Sequence, residues 1–389
     1  MKHQSISEKK RFERRRCMKA RKDRVRTAIN SKILAKTPQE FRATIKIDCP
    51  SHLSLSQNYV PTIQFFQEIK LLSSHILRRR RFRPTLATSF SIGLGNLESI
   101  SVRCAVMLTS ELERLQQVSS AKLIYTGSTT FETEALSLLR QMGCFDLLGI
   151  KEQFGELEEP NCPEINLANG HRTAMRLISG RQIDSSKFEK FEQELSRIYN
   201  NFEHLKILNG AMGEAILNVK NHAYLSDMEL EYPSPGKRWW SVASITPSDA
   251  KLKIIVFDQG HGIGRTLPKT GFMEHLVGYF GTLSLPYVNS TDVSELVLLK
   301  AAISRALDID PDKPRRTRTG LRGRGKGLGD ILKPIKMVDG SSIRVASGEA
   351  EVTYDKSTGI VGRILPCHLG GTLVEWIFDV SRSSIQKGT

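Results

Sequence analysis

The run KLKIIVFDQGHGIG constrains this chain more than any other segment. Five of the seven residues before Asp258 are apolar and three of them are β-branched, which predicts a buried strand. The strand ends in a carboxylate, and Gly260, Gly262 and Gly264 follow at alternate positions. Such an end has two readings. It is a tight turn capped by Asp258, or it is an acceptor for an exocyclic amine, with the glycines letting a flat ring approach the backbone.

Two further segments flank it. Upstream, residues 205–224 carry Leu208, Ala211, Met212, Ala215 and Val219 at helical spacing. Glu214 and Asn218 lie four residues apart in that segment and share one face of the helix. An Asn oxygen suits Mg²⁺, a hard cation that keeps several waters. A neighbouring carboxylate suits the orientation or deprotonation of a water that attacks a phosphoryl group. The pair is equally what an ordinary helix surface carries. Downstream, in GLRGRGKGLGDILKPIKMV, Gly323, Gly325, Gly327 and Gly329 alternate with Arg324, Lys326 and Leu328 and open a predicted helix at 328–337. Amides at a helix start beside Arg and Lys make an anion site suited to a triphosphate. A flexible linker has the same composition. The segment is not a Walker A loop, because no Gly-Lys-Ser/Thr follows a strand, and it is not a dinucleotide fingerprint.

The chain has 389 residues, enough for two or three domains, and its 39% hydrophobic content excludes wholesale disorder. No run of 18 apolar residues exists and the N-terminus never reaches an apolar stretch, so neither a transmembrane segment nor a secretory signal is expected. Six cysteines without a C-x-x-C pair argue against a zinc site and for reduced thiols in a cytoplasmic location. The net charge of +16 is uneven. Residues 1–36 hold fourteen Lys or Arg against three acids, and Lys313–Lys326 holds seven basic residues and no acid. These clusters read either as solvated faces or as phosphate-binding surfaces, and nucleic acid is one expected partner through the tail and the 263–322 lid.

Residues 37–160 alternate strand and helix patterns: a strand at Ile45–Ile47, a helix at 59–77, a strand at Leu86–Leu94, a helix at 101–117, a strand at Lys122–Tyr125 and a helix at 131–142 ended by Gly143. This order implies a small α/β domain. Residues 161–180 mix Pro, Gly and Asn and read as a linker, and residues 181–389 form the second domain, with a hairpin near 238–246 and 251–257. With its ALSLLRQMGCFDLLGI ending, the first domain resembles the STAS family of anti-anti-sigma regulators. The Asp-Ser pair which that likeness requires before the long helix is absent, with only Ser99 and Ser101 nearby, so no phosphoacceptor is expected there.

The ordered set E-x-x-x-N, D-x-G-x-G-I and G-x-G-x-G-L, with GGTLVEWIF near the C-terminus, resembles the GHKL superfamily. Its members share the Bergerat ATP-binding fold and include DNA gyrase B subunits, sensor histidine kinases and mismatch-repair ATPases. The resemblance covers roughly 181–389 and implies an α/β sandwich that binds ATP with Mg²⁺. It implies Glu214 as the general base, Asn218 as the Mg²⁺ ligand and Asp258 as the adenine reader. Gly260 and Gly262 match the first glycine box, Gly325, Lys326, Gly327 and Leu328 the second, and Thr372 the residue that supports the adenine site. The run EAILNVKNHAY is most similar to the anti-sigma-factor serine kinases, in which His222 would pack or support a neighbouring residue rather than catalyse. A sensor histidine kinase is disfavoured, because His204 in FEHLK lacks the phosphoacceptor context. The 60 residues between Gly262 and Gly323 exceed a serine kinase's lid and include a predicted helix at 292–307. The expectation is an ATPase or protein kinase in a signalling switch, with a protein partner and with a homodimer left open. A nucleic-acid-associated ATPase and a non-hydrolysing ATP-gated module are the alternatives.

Overall fold

The computed structural model describes residues 45–82, 90–119, 123–125, 133–150, 173–182, 184–198, 202–232, 234, 236–246, 250–267, 294–308 and 327–379. Helix and strand are mixed throughout. The first part holds strands β1 (Ile45–Asp48), β3 (Phe90–Gly93) and β5 (Leu123–Tyr125) in a parallel sheet of order β1-β3-β5. A short parallel pair, β2 (His52–Leu53) with β4 (Ser99–Ile100), lies apart from it. Helices α1 (Tyr59–Phe82) and α2 (Val102–Ser119) pack together. Helix α3 (Glu134–Gln141) begins at Thr133, whose hydroxyl accepts from Leu136 N, and Gly143 at φ 66° ends it before α4 (Cys144–Leu147). The alternation expected for 37–160 is therefore present, with the predicted 86–94 strand observed over 90–93 and residues 83–89 outside the described set.

The second part is built on an eight-stranded sheet of order β12-β11-β10-β13-β9-β8-β6, with β7 also paired to β8. Its strands are β6 (Thr173–Ala174), β7 (Ile178–Gly180), β8 (Trp239–Thr246), β9 (Lys251–Asp258), β10 (Ser341–Ser347), β11 (Ala350–Asp355), β12 (Gly359–Ile364) and β13 (Thr372–Asp379). Every pair is antiparallel. Residues 173–180, read from sequence as the end of the linker, are thus part of the sheet. Pairing with β8 supplied the backbone partners that their polar composition hid.

Both faces of β9 are buried from Ile254 to Asp258, which is why its second half reads as an unbroken apolar run, whereas the edge strand β12 is half-buried or exposed throughout. Leu252, Ile254 and Val256 face a core built with helices α5 (Ser185–Ile198), α6 (Phe202–Asn218), α8 (Glu295–Asp308) and α9 (Gly327–Met337), and the one-turn helix α7 (Ile263–Thr266) follows the loop after β9. Ile255 and Phe257 face the opposite core, which also contains Phe66, Ile69, Leu108 and Leu112 of the first part. The packing therefore crosses the boundary drawn at residue 160. Polar contacts follow it: Arg103 of α2 lies 3.3 Å from Glu375 of β13, and the Trp240 indole donates to Glu113 of α2 at 2.9 Å. Arg363 of β12 donates to the Leu55 carbonyl at 3.1 Å.

Candidate functional site

Helix α6 ends differently from the expected continuous helix at 205–224. Its α-helical bonding stops at Asn218, and Val219–Ala223 forms a π turn. A π segment widens the helix and re-aims its last residues, and such insertions recur at functional sites. Here it presents the Ala223 carbonyl, which accepts from His261 N at 2.7 Å and ties the loop after β9 to the helix. A Cβ on Gly260 would overlap that carbonyl and lie 2.6 Å from the Ala223 Cβ. This corrects the reason given for Gly260. Its bare face is turned to the helix end rather than to open space. Gly262, at φ 87°, likewise sits against Ser347 and Gly348. His222, expected to pack or to support a neighbouring residue rather than to catalyse, is exposed.

One turn earlier, Glu214 and Asn218 come together with the start of α9. A Cβ on Gly327 would lie 3.1 Å from Asn218 Oδ1 and 3.5 Å from Glu214 Oε2. The pair therefore faces the N-terminus of α9, where backbone amides and the helix dipole favour an anion. Burial, with the Asp330 carboxylate in the first turn of α9, raises the Glu214 carboxyl above its ordinary range. Leu328 packs against the core on this side of the sheet. Gly325 and Lys326, the rest of the second glycine box, lie outside the described residues, as do the basic tail 1–36, Gly323 and most of the lid.

Asp258 ends β9 at 5% exposure. It accepts from Gly260 N at 2.7 Å and from the Thr372 amide at the start of β13. Desolvation outweighs these two bonds and pushes its carboxyl up to about 7. The sign follows directly. The folded chain holds a proton that an ordinary Asp, titrating near 3.8, has released. That contribution to stability is complete below about 3.8 and is lost as pH rises through about 7. In urea melts, Asp258→Asn is expected to remove this part of the loss between pH 5 and pH 8. An unchanged pH profile in the variant would show that Asp258 titrates normally.

Sequence reasoning missed several residues that hold this end of the sheet. The Tyr224 hydroxyl donates to the Arg238 carbonyl and accepts from Gln259 N at 3.2 Å, bracing β8 against the loop after β9. Ser347 Oγ accepts from Ile263 N at 2.6 Å and lies 3.2 Å from Thr372 Oγ1. Tyr224 was visible in the NHAY run. Ser347 carried no signal, because a Ser at a strand end is unremarkable until its register is known. Glu295, at the start of α8, accepts from Glu349 N and ties α8 to the β10–β11 turn.

Among the described residues no group of three or more His, Cys, Asp or Glu is placed to hold a metal ion, and no helix is long and apolar enough to cross a membrane. Comparison with known protein families, with curated proteins and with solved structures finds no match for this chain.

Proposed function

We propose that residues 173–379 bind Mg-ATP in a Bergerat-type site and act as an ATPase or protein kinase of GHKL type within a regulatory switch, with the first part as its STAS-like regulatory half. One observation carries the reading. Residues of the three sequence motifs, some 110 residues apart from first to last, meet at the two ends of the π turn: Glu214 and Asn218 against Gly327, and Ala223 against Gly260 beside Asp258.

The donor set fits the ligand. A buried carboxylate at a strand end accepts an amine hydrogen, and Thr372 lies beside it in register. The Asn218 amide oxygen is a hard ligand that would hold Mg²⁺ together with phosphate oxygens. When bound, the cation would neutralise charge on those oxygens. The amides at the start of α9 would receive the phosphates. Glu214, with its raised carboxyl pKa, would take the proton from a water or a protein hydroxyl. An ionised Asp258 is the stronger acceptor for adenine, so ATP affinity should fall as pH drops through about 7.

The test is an incubation of the full chain with γ-labelled ATP and Mg²⁺, alone and with DNA. Label released as phosphate supports an ATPase, and label on protein supports a kinase. ATP binding with neither outcome would replace both by the ATP-gated module. Turnover that rises with DNA would favour the nucleic-acid-associated ATPase.

A further inference from the structure

The turn that delivers Thr372 to Asp258 is held from the other part of the chain. Lys70 of α1, 2% exposed, donates from Nζ to the Leu369 carbonyl. Arg114 of α2, 1% exposed, donates from Nη2 to the Gly370 carbonyl at 3.5 Å. Glu111, fully buried, lies 4.0 Å from Lys70 Nζ and 3.4 Å from Arg114 Nη2. Tyr232 covers the cluster, with Lys70 Nζ 5.5 Å from its ring centroid.

Three buried ionisable side chains at one turn are a poor way to gain stability, because desolvating each ion costs several kcal/mol, pushing the Lys70 ammonium's pKa down against the pull of Glu111, and apolar side chains of similar volume often serve as well. What they do that apolar groups cannot is fix two backbone carbonyls. Gly370 has φ 77° and Gly371 φ 153°. The turn is already tied by His368 Nδ1, which accepts from Gly370 N at 2.9 Å, by Leu369 N, which donates to the Gly348 carbonyl at 2.7 Å, and by the buried Leu369 side chain. Lys70 and Arg114 add the only side-chain donors that the described residues place on the Leu369 and Gly370 carbonyls. Both carboxylate oxygens of Glu111 and the Nε and Nη1 atoms of Arg114 make no hydrogen bond. The cluster is therefore held by charge and by the two carbonyls, not by a closed network.

We infer that Lys70 and Arg114 are positioning residues for the nucleotide site: they fix the Leu369–Gly371 turn so that the Thr372 amide reaches the Asp258 carboxylate. The packing of α1 on α2 in the first part thereby sets the affinity of the second part for its base. The inference rests on the reading of Asp258 as the adenine contact, and it gives the first part a direct mechanical route to that contact. A change in the first part acts on binding rather than on the chemistry at Glu214.

The test uses the full chain. Lys70→Met keeps the length of the side chain and removes its charge. A lost hydrogen bond to a charged group is worth about 1.5–3 kcal/mol, or about 10–100-fold. Amide hydrogen exchange without nucleotide is expected to speed up by that factor at Thr372 and to stay unchanged in the middle of β10. The KM for ATP is expected to rise about tenfold or more, with kcat at saturating ATP unchanged. If Lys70→Met does not fold, Glu111→Gln, which removes the counter-charge at constant shape, is read in the same way with the same expected directions. A folded variant with wild-type exchange at Thr372 overturns the inference, and so does an equal fall in kcat with KM unchanged. Wild-type protein that binds no ATP would overturn the reading of the site instead, and the exchange measurement would still decide whether Lys70 holds the turn.

Discussion

Glu214→Ala is expected to bind Mg-ATP nearly as tightly as the wild type and to turn it over about 10²–10⁴-fold more slowly. A general base contributes to the transition state and little to the ground state. Glu214 has the position for that work: it faces the N-terminus of α9 across Gly327, with Asn218 one turn away on the same face. Its carboxyl is raised by burial and by Asp330, towards the pH at which a base both exists deprotonated and accepts a proton effectively. Asn218→Ala is expected to behave differently, losing Mg-dependent ATP binding and turnover together, because an amide that holds the metal acts in the ground state. The contrast is read by titrating ATP with and without Mg²⁺ and by phosphate release. Wild-type turnover in Glu214→Ala would remove Glu214 as the base. Normal Mg-ATP affinity in Asn218→Ala would remove Asn218 as the ligand.

Gly371→Ala is expected to abolish measurable ATP binding and to destabilise the fold by more than about 3 kcal/mol. A Cβ at this position would overlap the Asp258 carbonyl oxygen and lie 2.7 Å from its carbon and 2.9 Å from the Gln259 Cα. All three are backbone atoms of a central strand and its exit, so no rotamer change relieves the clash. The start of β13 must leave β9, and the Thr372 amide leaves the Asp258 carboxylate with it. Gly210→Ala is the control. Gly210 lies on α6 with nothing within 4 Å of an added Cβ, so the change should stabilise the helix by about 1 kcal/mol and leave binding intact. Urea melts and ATP titrations of both variants check the pair. A Gly371→Ala protein with normal affinity would show that the Asp258–Thr372 contact is not part of the site.

What could be read in the sequence was what short-range pattern encodes. β9 was legible because both of its faces are buried, and α6 because its apolar stripe repeats over four turns. The E-x-x-x-N pair was legible because helical spacing alone puts Glu214 and Asn218 on one face. Three features were not legible, and each depends on a partner distant in sequence. The strands at 173–180 look like a linker until β8 offers them hydrogen bonds. The π turn after Asn218 breaks no sequence rule, and the contact at its end, Ala223 docked onto the loop after β9, joins residues distant in sequence. The shared core could not be inferred from a charge count, because Lys70, Glu111 and Arg114 look like ordinary surface residues of amphipathic helices and are instead buried against the sheet's other face.

In the proposed site Asp258 reads adenine: its acceptor would meet the exocyclic amine of adenine, where guanine carries an oxygen. Direct titration of the full chain at pH 8 with ATP and with GTP, in wild type and in Asp258→Asn, tests this without any assumption about turnover. A hydrogen bond to a charged group is worth about 1.5–3 kcal/mol, so GTP is expected to bind at least about tenfold more weakly than ATP to the wild type. Asp258→Asn is expected to lose at least about tenfold in ATP affinity while its fold persists. Equal affinity of the wild type for ATP and GTP, or an Asp258→Asn protein that binds ATP as the wild type does, would contradict this reading of Asp258.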